Sequence, residues 1–222
     1  ETAPRTWAER PTIHAAAPQK ARPGHISLKW GASQVFIRHK SFDTVNSDDV
    51  VSQGNIGLAG EIVLFKHWVV GFDTGYTGAK IKDTLFARYK TITTLHNLEV
   101  GPFAGYRLWD AFMPYVRVGF AGSWTSLAIK DGGVDFGGDT FAPGFYAAAG
   151  VELGIPRRWI QATLNTRIFT AALRFEAGYT YLGDMNFEDQ IDNSALVTEY
   201  KAAPGTLTLR GGAIRTNFVL SF

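Results

Sequence analysis

The chain has 222 residues, a formal net charge of +2 at pH 7 and no cysteine. This length suits one domain, and a hydrophobic fraction of 45% excludes wholesale disorder. The small charge gives no support for nucleic-acid binding, and the lack of cysteine excludes disulfides and thiolate metal sites. No apolar run reaches about 18 residues, so the sequence excludes a transmembrane helix and leaves a β-barrel as the membrane-spanning option.

The first segment, residues 1–23, is predicted to be a flexible periplasmic arm. Four prolines interrupt its alanines and charges, and no period of 2 or 3.6 persists. Its basic residues outnumber its acidic ones, and Trp7 and Arg10 are its candidate partner-binding residues because an isolated aromatic is a frequent anchor. No targeting segment is visible, so Glu1 of an exported protein is expected near the mature N-terminus.

From residue 24 to residue 222 a period of two dominates, which predicts a β domain because successive side chains of a strand point to opposite faces. Eight segments carry an apolar face. In chain order they cover residues 26–30, 56–64, 68–76, 98–108, 116–124, 145–155, 173–181 and 214–222. The phase of the first segment becomes unclear near Gly31, which suggests a bulge. Pro102 and Pro143 also predict bulges, because proline cannot donate a ladder hydrogen bond.

The connections between these segments alternate in length. Short turns are predicted at residues 65–67 and 109–110, and long polar loops at 41–52, 77–91, 131–139 and 183–204. Residues 156–169 suit a short periplasmic helix, led by a proline and carrying Trp159, Ile160, Leu164 and Ile168. An even number of antiparallel strands with this rhythm is typical of outer-membrane barrels.

The less apolar face combines glycines with charges of both signs. Its charged residues are Lys29, Glu61, Asp73, Glu99, Arg117, Glu152, Arg174, Glu176 and Arg215. A narrow eight-stranded interior needs small residues around paired charges, so we expect this face to point inward as a salt-bridged network. A proton or ion path through the same charges is the alternative interpretation.

Aromatic residues gather at the two ends of the predicted strands. Trp68, Trp109, Trp159 and Phe222, with Tyr106 and Tyr115, fall at one end, and Trp124, with Tyr76, Phe141 and Tyr181, falls at the other. Two such belts are typical of the two interfaces of a membrane, because an aromatic ring with a polar handle prefers the headgroup level.

The last strand alternates apolar with small or polar residues over 214–222 and ends on a phenylalanine carboxylate. This ending resembles the terminal signal of bacterial outer-membrane barrels. Over residues 24–222 the chain resembles the small eight-stranded OmpA/OmpX-like superfamily, in pattern rather than by a specific signature. The resemblance implies an all-β, eight-stranded antiparallel transmembrane barrel in the bacterial outer membrane, in contact with lipid and lipopolysaccharide. It implies no particular function.

The best candidate for a catalytic pair is His25 with Ser27, which share one face of the first strand. We expect a polar strand end instead, because the pair lies at the periplasmic end and a lipid A enzyme needs a nucleophile facing outer-leaflet lipid. Asp131, Asp135 and Asp139 match no calcium-loop template. No catalytic residue, metal or cofactor is therefore predicted.

The sequence favours a non-enzymatic outer-membrane barrel that serves as an anchor or structural subunit, whose arm or surface loops contact periplasmic or outer-membrane proteins. Three alternatives remain open: a narrow OmpW-like channel for small or apolar solutes, a lipid A-modifying enzyme and a surface adhesin. No nucleic-acid partner is expected.

Overall fold

The computed structural model describes residues 24–37, 49–85, 89–109, 111–131, 134–156, 170–187 and 206–222. Eight strands fill these ranges: β1 (Gly24–Ile37), β2 (Val50–Leu64), β3 (Trp68–Leu85), β4 (Tyr89–Tyr106), β5 (Phe112–Asp131), β6 (Val134–Gly154), β7 (Thr170–Asn186) and β8 (Thr206–Ser221). Within these ranges no helix is long and apolar enough to cross a membrane.

The strands form one closed barrel in sequence order, and every neighbouring pair is antiparallel. Closure comes from β1 and β8, which pair from Ser27↔Ser221 to Ile37↔Gly211. The predicted eight-stranded antiparallel barrel is thus confirmed. Closure satisfies the backbone donors and acceptors that an open sheet would leave at its edges.

The turn between β2 and β3 is the short one that the sequence predicts. Phe65 and Lys66 occupy it with φ angles of 50° and 68°, the left-handed region that a tight hairpin requires. At the matching turn between β4 and β5, Trp109 forms a bridge with Phe112.

At all four predicted loops the strands run further than the sequence predicts. β3 continues to Leu85 and β4 begins at Tyr89, inside the predicted loop 77–91. β5 and β6 likewise cover all of 131–139 except residues 132 and 133, and β2, β7 and β8 extend into or towards their predicted loops. The reason is an inversion of polarity: here Ala79 and Ile81 pack against the interior while Lys80 and Lys82 face outward. The sequence predicts strands where the outward face is apolar. Strand segments whose outward face is polar are therefore predicted as loops.

The three predicted bulges, near Gly31, at Pro102 and at Pro143, are wrong: the register of the described strand pairs is unbroken at each. β1 keeps its phase through Gly31, with Ser33 and Ile37 buried on the inner face. Pro102 stays in register with β3, and β4 resumes its pairing with β5 in the same register after it. Pro143 also stays in register with β5. Both prolines are exposed on the outer face, and each leaves its ladder position without an amide donor. The described strand pairs shift register in β7, between Tyr181 and Asp184.

Three predictions fall outside the described residues: the arm at 1–23, the helix at 156–169 beyond its first residue, and the loop segments 41–48 and 188–204. They remain predictions.

Candidate functional site in the barrel interior

All nine predicted interior charges lie on the inner face of the barrel. Eight are buried, with side chains on seven different strands, and Glu152 is partly buried. The alternation of each strand brings them there: every one occupies a position whose two sequence neighbours point outward. The network joins four cations to five carboxylates, as burial of charge requires.

Arg117 of β5 is at the centre of this network. Its Nη1 donates to Asp73 Oδ1 at 3.0 Å and its Nη2 donates to Glu99 Oε2 at 2.7 Å. Its Nε lies 2.7 Å from Glu176 Oε2. One guanidinium therefore ties β5 to β3, β4 and β7, using the fixed fork of donors that only arginine offers. Tyr146 lies beneath it, with 4.5 Å between the guanidinium carbon and the ring centroid.

Lys29 of β1 reaches the same carboxylate from the other side. Its Nζ lies 2.5 Å from both oxygens of Asp73. β2 lies between β1 and β3, and its residue opposite Lys29 is Gly57. The missing side chain of Gly57 leaves the path that the lysine stem follows.

Arg174 of β7 completes the network towards the turn side, the end of the barrel that carries the short β2–β3 and β4–β5 turns. Its Nε and Nη2 donate to Glu152 Oε2 at 2.9 and 2.5 Å. Its guanidinium also lies 3.5 Å from Asp73 and 3.9 Å from Glu61. The rings of Phe103 and Tyr115 flank the same group, with centroids 5.5 and 4.9 Å away.

Arg215 of β8 binds two of the carboxylates that Arg117 also contacts. Its Nη1 donates to Glu99 Oε2 at 2.6 Å and to Glu176 Oε1 at 3.1 Å, and its Nη2 donates to Glu99 Oε1. With this residue, cations from β1, β5, β7 and β8 meet carboxylates from β2, β3, β4, β6 and β7 across the interior.

Tyr115 belongs to this network and not to the aromatic belt that the sequence suggested. It is 4% exposed, and its hydroxyl donates to Glu176 Oε2 at 3.1 Å. The signal that could have found it is parity, because it precedes Arg117 by two residues and so shares its inward face.

His25 and Ser27 do not form a pair with each other. His25 Nε2 contacts Glu61 Oε1, its direct cross-strand neighbour. Ser27 Oγ lies 2.7 Å from Ser221 Oγ, across the seam between β1 and β8. Both side chains are therefore engaged in joining strands. The sequence could not reveal these partners, because both lie on other strands.

Apolar side chains fill the barrel on both sides of the charges. On the turn side lie Ala59, Val69, Phe103 and Met113, with Val63 against them. On the far side a larger cluster includes Ile37, Leu95, Leu127, Met185, Phe187 and Leu207. The interior is thus packed above and below the ion-pair network, as a narrow eight-stranded barrel allows.

The outer face carries a continuous apolar belt around this interior. On seven strands it covers nine residues each: 56–64, 68–76, 98–106, 116–124, 145–153, 173–181 and 214–222. A groove of about 640 Å³ crosses it beside Ile62, Phe72 and Val118. Trp68, Trp109 and Phe222 are exposed at its turn-side rim, and Trp124 at the opposite rim. Trp159, also predicted at the turn side, lies outside the described residues.

Several acidic residues of the predicted loops lie on strands. Asp131 and Asp135 belong to β5 and β6, and Asp139 is exposed on β6. Asp184 forms an exposed ion pair with Arg210 at 3.2 Å. No group of three potential ligands that could hold a metal ion occurs among the described residues.

The barrel is similar to several solved structures. Neisserial surface protein A matches with 12% identity and a TM-score of 0.47, over 90% of this chain and 98% of that one. The attachment invasion locus protein Ail of Yersinia pestis matches with 11% identity and a TM-score of 0.48, over 90% and 100%. The transport unit of the autotransporter AIDA-I from Escherichia coli matches with 11% identity and a TM-score of 0.46, over 95% and 94%. No protein-family model matches the chain, and no curated protein matches its sequence.

Proposed function

We propose that this protein is a non-enzymatic barrel of the bacterial outer membrane that serves as an anchor or structural subunit. The observation that carries the proposal is the pairing of an outward apolar belt with an inward ion-pair network. A water-soluble barrel has the opposite polarity, with charges outside and an apolar lining.

The dimensions of the belt suit a bilayer. Nine residues at about 3.3 Å each, tilted by about 40°, rise about 23 Å along the barrel axis. The apolar band of an outer-membrane barrel is about 25 Å tall and is flanked by aromatic girdles. Trp68 and Tyr106 at one rim and Tyr76 and Trp124 at the other occupy the positions of such girdles.

The packed interior favours an anchor over a channel. Arg117 and Arg174 lie across the lumen, and the carboxylates that pair with them come from β2, β3, β4, β6 and β7. A conducting path would have to break several buried ion pairs, each of which costs several kcal/mol, about 3–5, to disrupt. We therefore expect no steady conductance from the folded barrel.

Contacts with partner proteins would come from two parts of the chain. The arm offers Trp7 and Arg10, and the strands β3 to β6 extend beyond the belt into the space outside the membrane. Lipid and lipopolysaccharide would surround the belt itself. An anchor needs a lipid-facing belt and surfaces for partner proteins, and it needs no catalytic residues.

Two measurements on the full chain test this function. In its bacterial host the protein should sediment with outer membranes and resist extraction by carbonate, and it should co-purify with stoichiometric partners in mild detergent. In planar bilayers the purified barrel should give no stepwise conductance. Recovery in the aqueous fraction would overturn the membrane placement, and reproducible ohmic steps would replace the anchor with the channel.

The enzyme alternative has its own test. Deletion of the gene should leave the mass spectrum of lipid A unchanged, because His25 is engaged with Glu61 and Ser27 with Ser221. A mass shift that Ser27→Ala reproduces would contradict the non-enzymatic proposal.

A further inference from the structure

Three lysines lie next to one another on the outward face of the barrel, just beyond the apolar belt. Lys80 and Lys82 are two residues apart on β3, so they share a face and lie about 7 Å apart. Lys82 is opposite Ile92 of β4, and Lys90 is the next outward residue of that strand. This diagonal also spans about 7–8 Å. All three side chains are exposed. We call Lys80, Lys82 and Lys90 the lysine patch.

The neighbours of the patch add positive charge and hydrogen-bonding groups. Lys130 of β5 is directly opposite Lys90, and Thr94 of β4 is opposite Lys80. His96 lies one outward position from Thr94, beside Tyr76, whose hydroxyl contacts its Nδ1. The patch is therefore continuous with hydroxyl and imidazole groups of β3 and β4, and Lys130 of β5 lies beside it.

Among the described residues, the outward positions of β3 and β4 beyond the belt carry no carboxylate, whereas Asp135 of β6 is opposite Lys130. The outward residues of β3 and β4 beyond the belt are lysine, threonine, isoleucine, glycine and histidine. Asp83, on the inner side, accepts a hydrogen bond from the Thr84 amide. Asp139 is exposed on β6, separated from Lys80 by β4 and β5. The ion pairs of the described residues include none for the three patch lysines.

The height of the patch follows from its distance along β3 to the upper aromatic rim. Lys80 is four residues beyond Tyr76 and Lys82 six, which corresponds to about 10 and 15 Å along the barrel axis at a tilt of about 40°. If Tyr76 and Trp124 mark the interface, the lysines reach the polar layer of the outer leaflet. This step rests on the proposed membrane location.

We propose that the lysine patch binds the phosphate groups of a phosphorylated glycolipid of the outer leaflet. Phosphate is the complement of clustered ammonium groups, and three flexible stems about 7 Å apart can converge on one or two phosphates. The aromatic rim below, formed by Tyr76 and Trp124, would face the sugar and the first methylenes of the same lipid.

The test uses the full chain folded in micelles of a neutral detergent and titrated with bisphosphorylated lipid A. The probe is compared with dephosphorylated lipid A in the same micelles. Each patch lysine near an anionic lipid surface contributes about a fivefold change in affinity, so Lys80→Gln with Lys82→Gln should weaken binding about 25-fold. Adding Lys90→Gln should bring the loss to about a hundredfold. Dephosphorylated lipid should bind the parent chain as weakly as the triple variant binds lipid A.

The matched control removes two cations away from the patch, the exposed Lys66 in the β2–β3 turn and the partly exposed Arg210 on β8, through Lys66→Gln and Arg210→Gln. It should bind lipid A as the parent does. Unfolding in urea, followed by tryptophan fluorescence, shows whether each variant is folded.

Equal lipid A affinity for the parent and the triple variant would overturn the proposal. The proposal would also be overturned if the patch lysines were needed for binding a soluble sulfated polysaccharide but not for binding lipid A. The assay needs no cellular membrane. If the chain is located in the membrane but binds lipid A without the lysines, only the patch proposal is overturned. If the chain is found in the aqueous fraction, the proposed function is overturned.

Discussion

Lys29 of β1 and Asp73 of β3 form an ion pair across the full width of β2, with Nζ 2.5 Å from each carboxylate oxygen. The strand between them contributes Gly57. A side chain at this position would obstruct the path of the lysine. A Cβ there would lie 2.2 Å from the Thr74 carbonyl oxygen and 3.1 Å from Lys29 Cε. The ion pair and the glycine therefore depend on each other.

We expect Gly57→Ala to lower the free energy of unfolding by about 2 kcal/mol, because the added methyl group must displace backbone and the lysine stem. Gly75→Ala is the matched control: Gly75 pairs with Gly57, and a Cβ there meets nothing within 4 Å. Urea unfolding of both variants in micelles measures the difference. Equal stabilities would mean that Lys29 does not cross β2 as described.

Replacing Arg117 by methionine should destabilise the barrel by about 3–5 kcal/mol, because Asp73, Glu99 and Glu176 would each lose a buried cation. Arg210→Met removes an arginine from an exposed ion pair and should cost about 0–1 kcal/mol. Both values come from the same urea titration.

A second substitution distinguishes the loss of the Arg117 ion pairs from the loss of its packing contacts. Glu99→Gln in the Arg117→Met background should cost less than it does in the parent chain, because its negative charge is then only partly compensated by Arg215. Strictly additive losses would argue that the Arg117 charge contributes nothing to the network.

The depth of the belt can be tested on β5, where Val118 and Ser126 face outward eight residues apart. Val118→Arg should destabilise the barrel by about 2–4 kcal/mol in a bilayer, because the charge would lie near the midplane, while Ser126→Arg should cost about 0–1 kcal/mol. Unfolding from lipid vesicles measures both. Similar costs at the two positions would contradict the proposed membrane placement.

The inward orientation of Tyr115 predicts that its hydroxyl contributes to stability. Tyr115→Phe removes the bond to Glu176 and should cost about 1–3 kcal/mol, the usual range for a buried bond to a charged group. Tyr106→Phe, at the exposed rim, should change stability by less than about 0.5 kcal/mol. If Tyr115→Phe left the stability unchanged, the result would argue against an inward hydroxyl bound to Glu176.

Deletion of residues 1–22 should leave folding and membrane insertion intact while abolishing the recovery of partner proteins. The expectation follows from the proline-rich composition of the arm, which predicts no packing against the barrel. Heat-dependent migration on gels reports folding, and mass spectrometry of the detergent extract reports partners. Failure of the truncated chain to insert would show that the arm is part of the barrel, whereas unchanged partners would assign them to the outer surface of β3 to β6.

Local alternation was enough to predict which way most side chains point. A period of two depends on the backbone of each strand alone, so Lys29, Arg117 and Arg174 could be assigned to the inner face from their neighbours in sequence. The apolar outer face and the number of strands followed from the same pattern. The extensions of β3 and β4 were missed although they alternate equally well, because their polarity is inverted.

The partners of those inward charges were decided by the tertiary structure. Which carboxylate meets Lys29 depends on the register of β1 with β2 and of β2 with β3, and on the absence of a side chain at Gly57. The placement of Lys82 beside Lys90 likewise depends on where β3 turns back into β4. Register is a property of pairs of strands and of barrel closure, so one segment of sequence carries the direction of a side chain but not the identity of its neighbour.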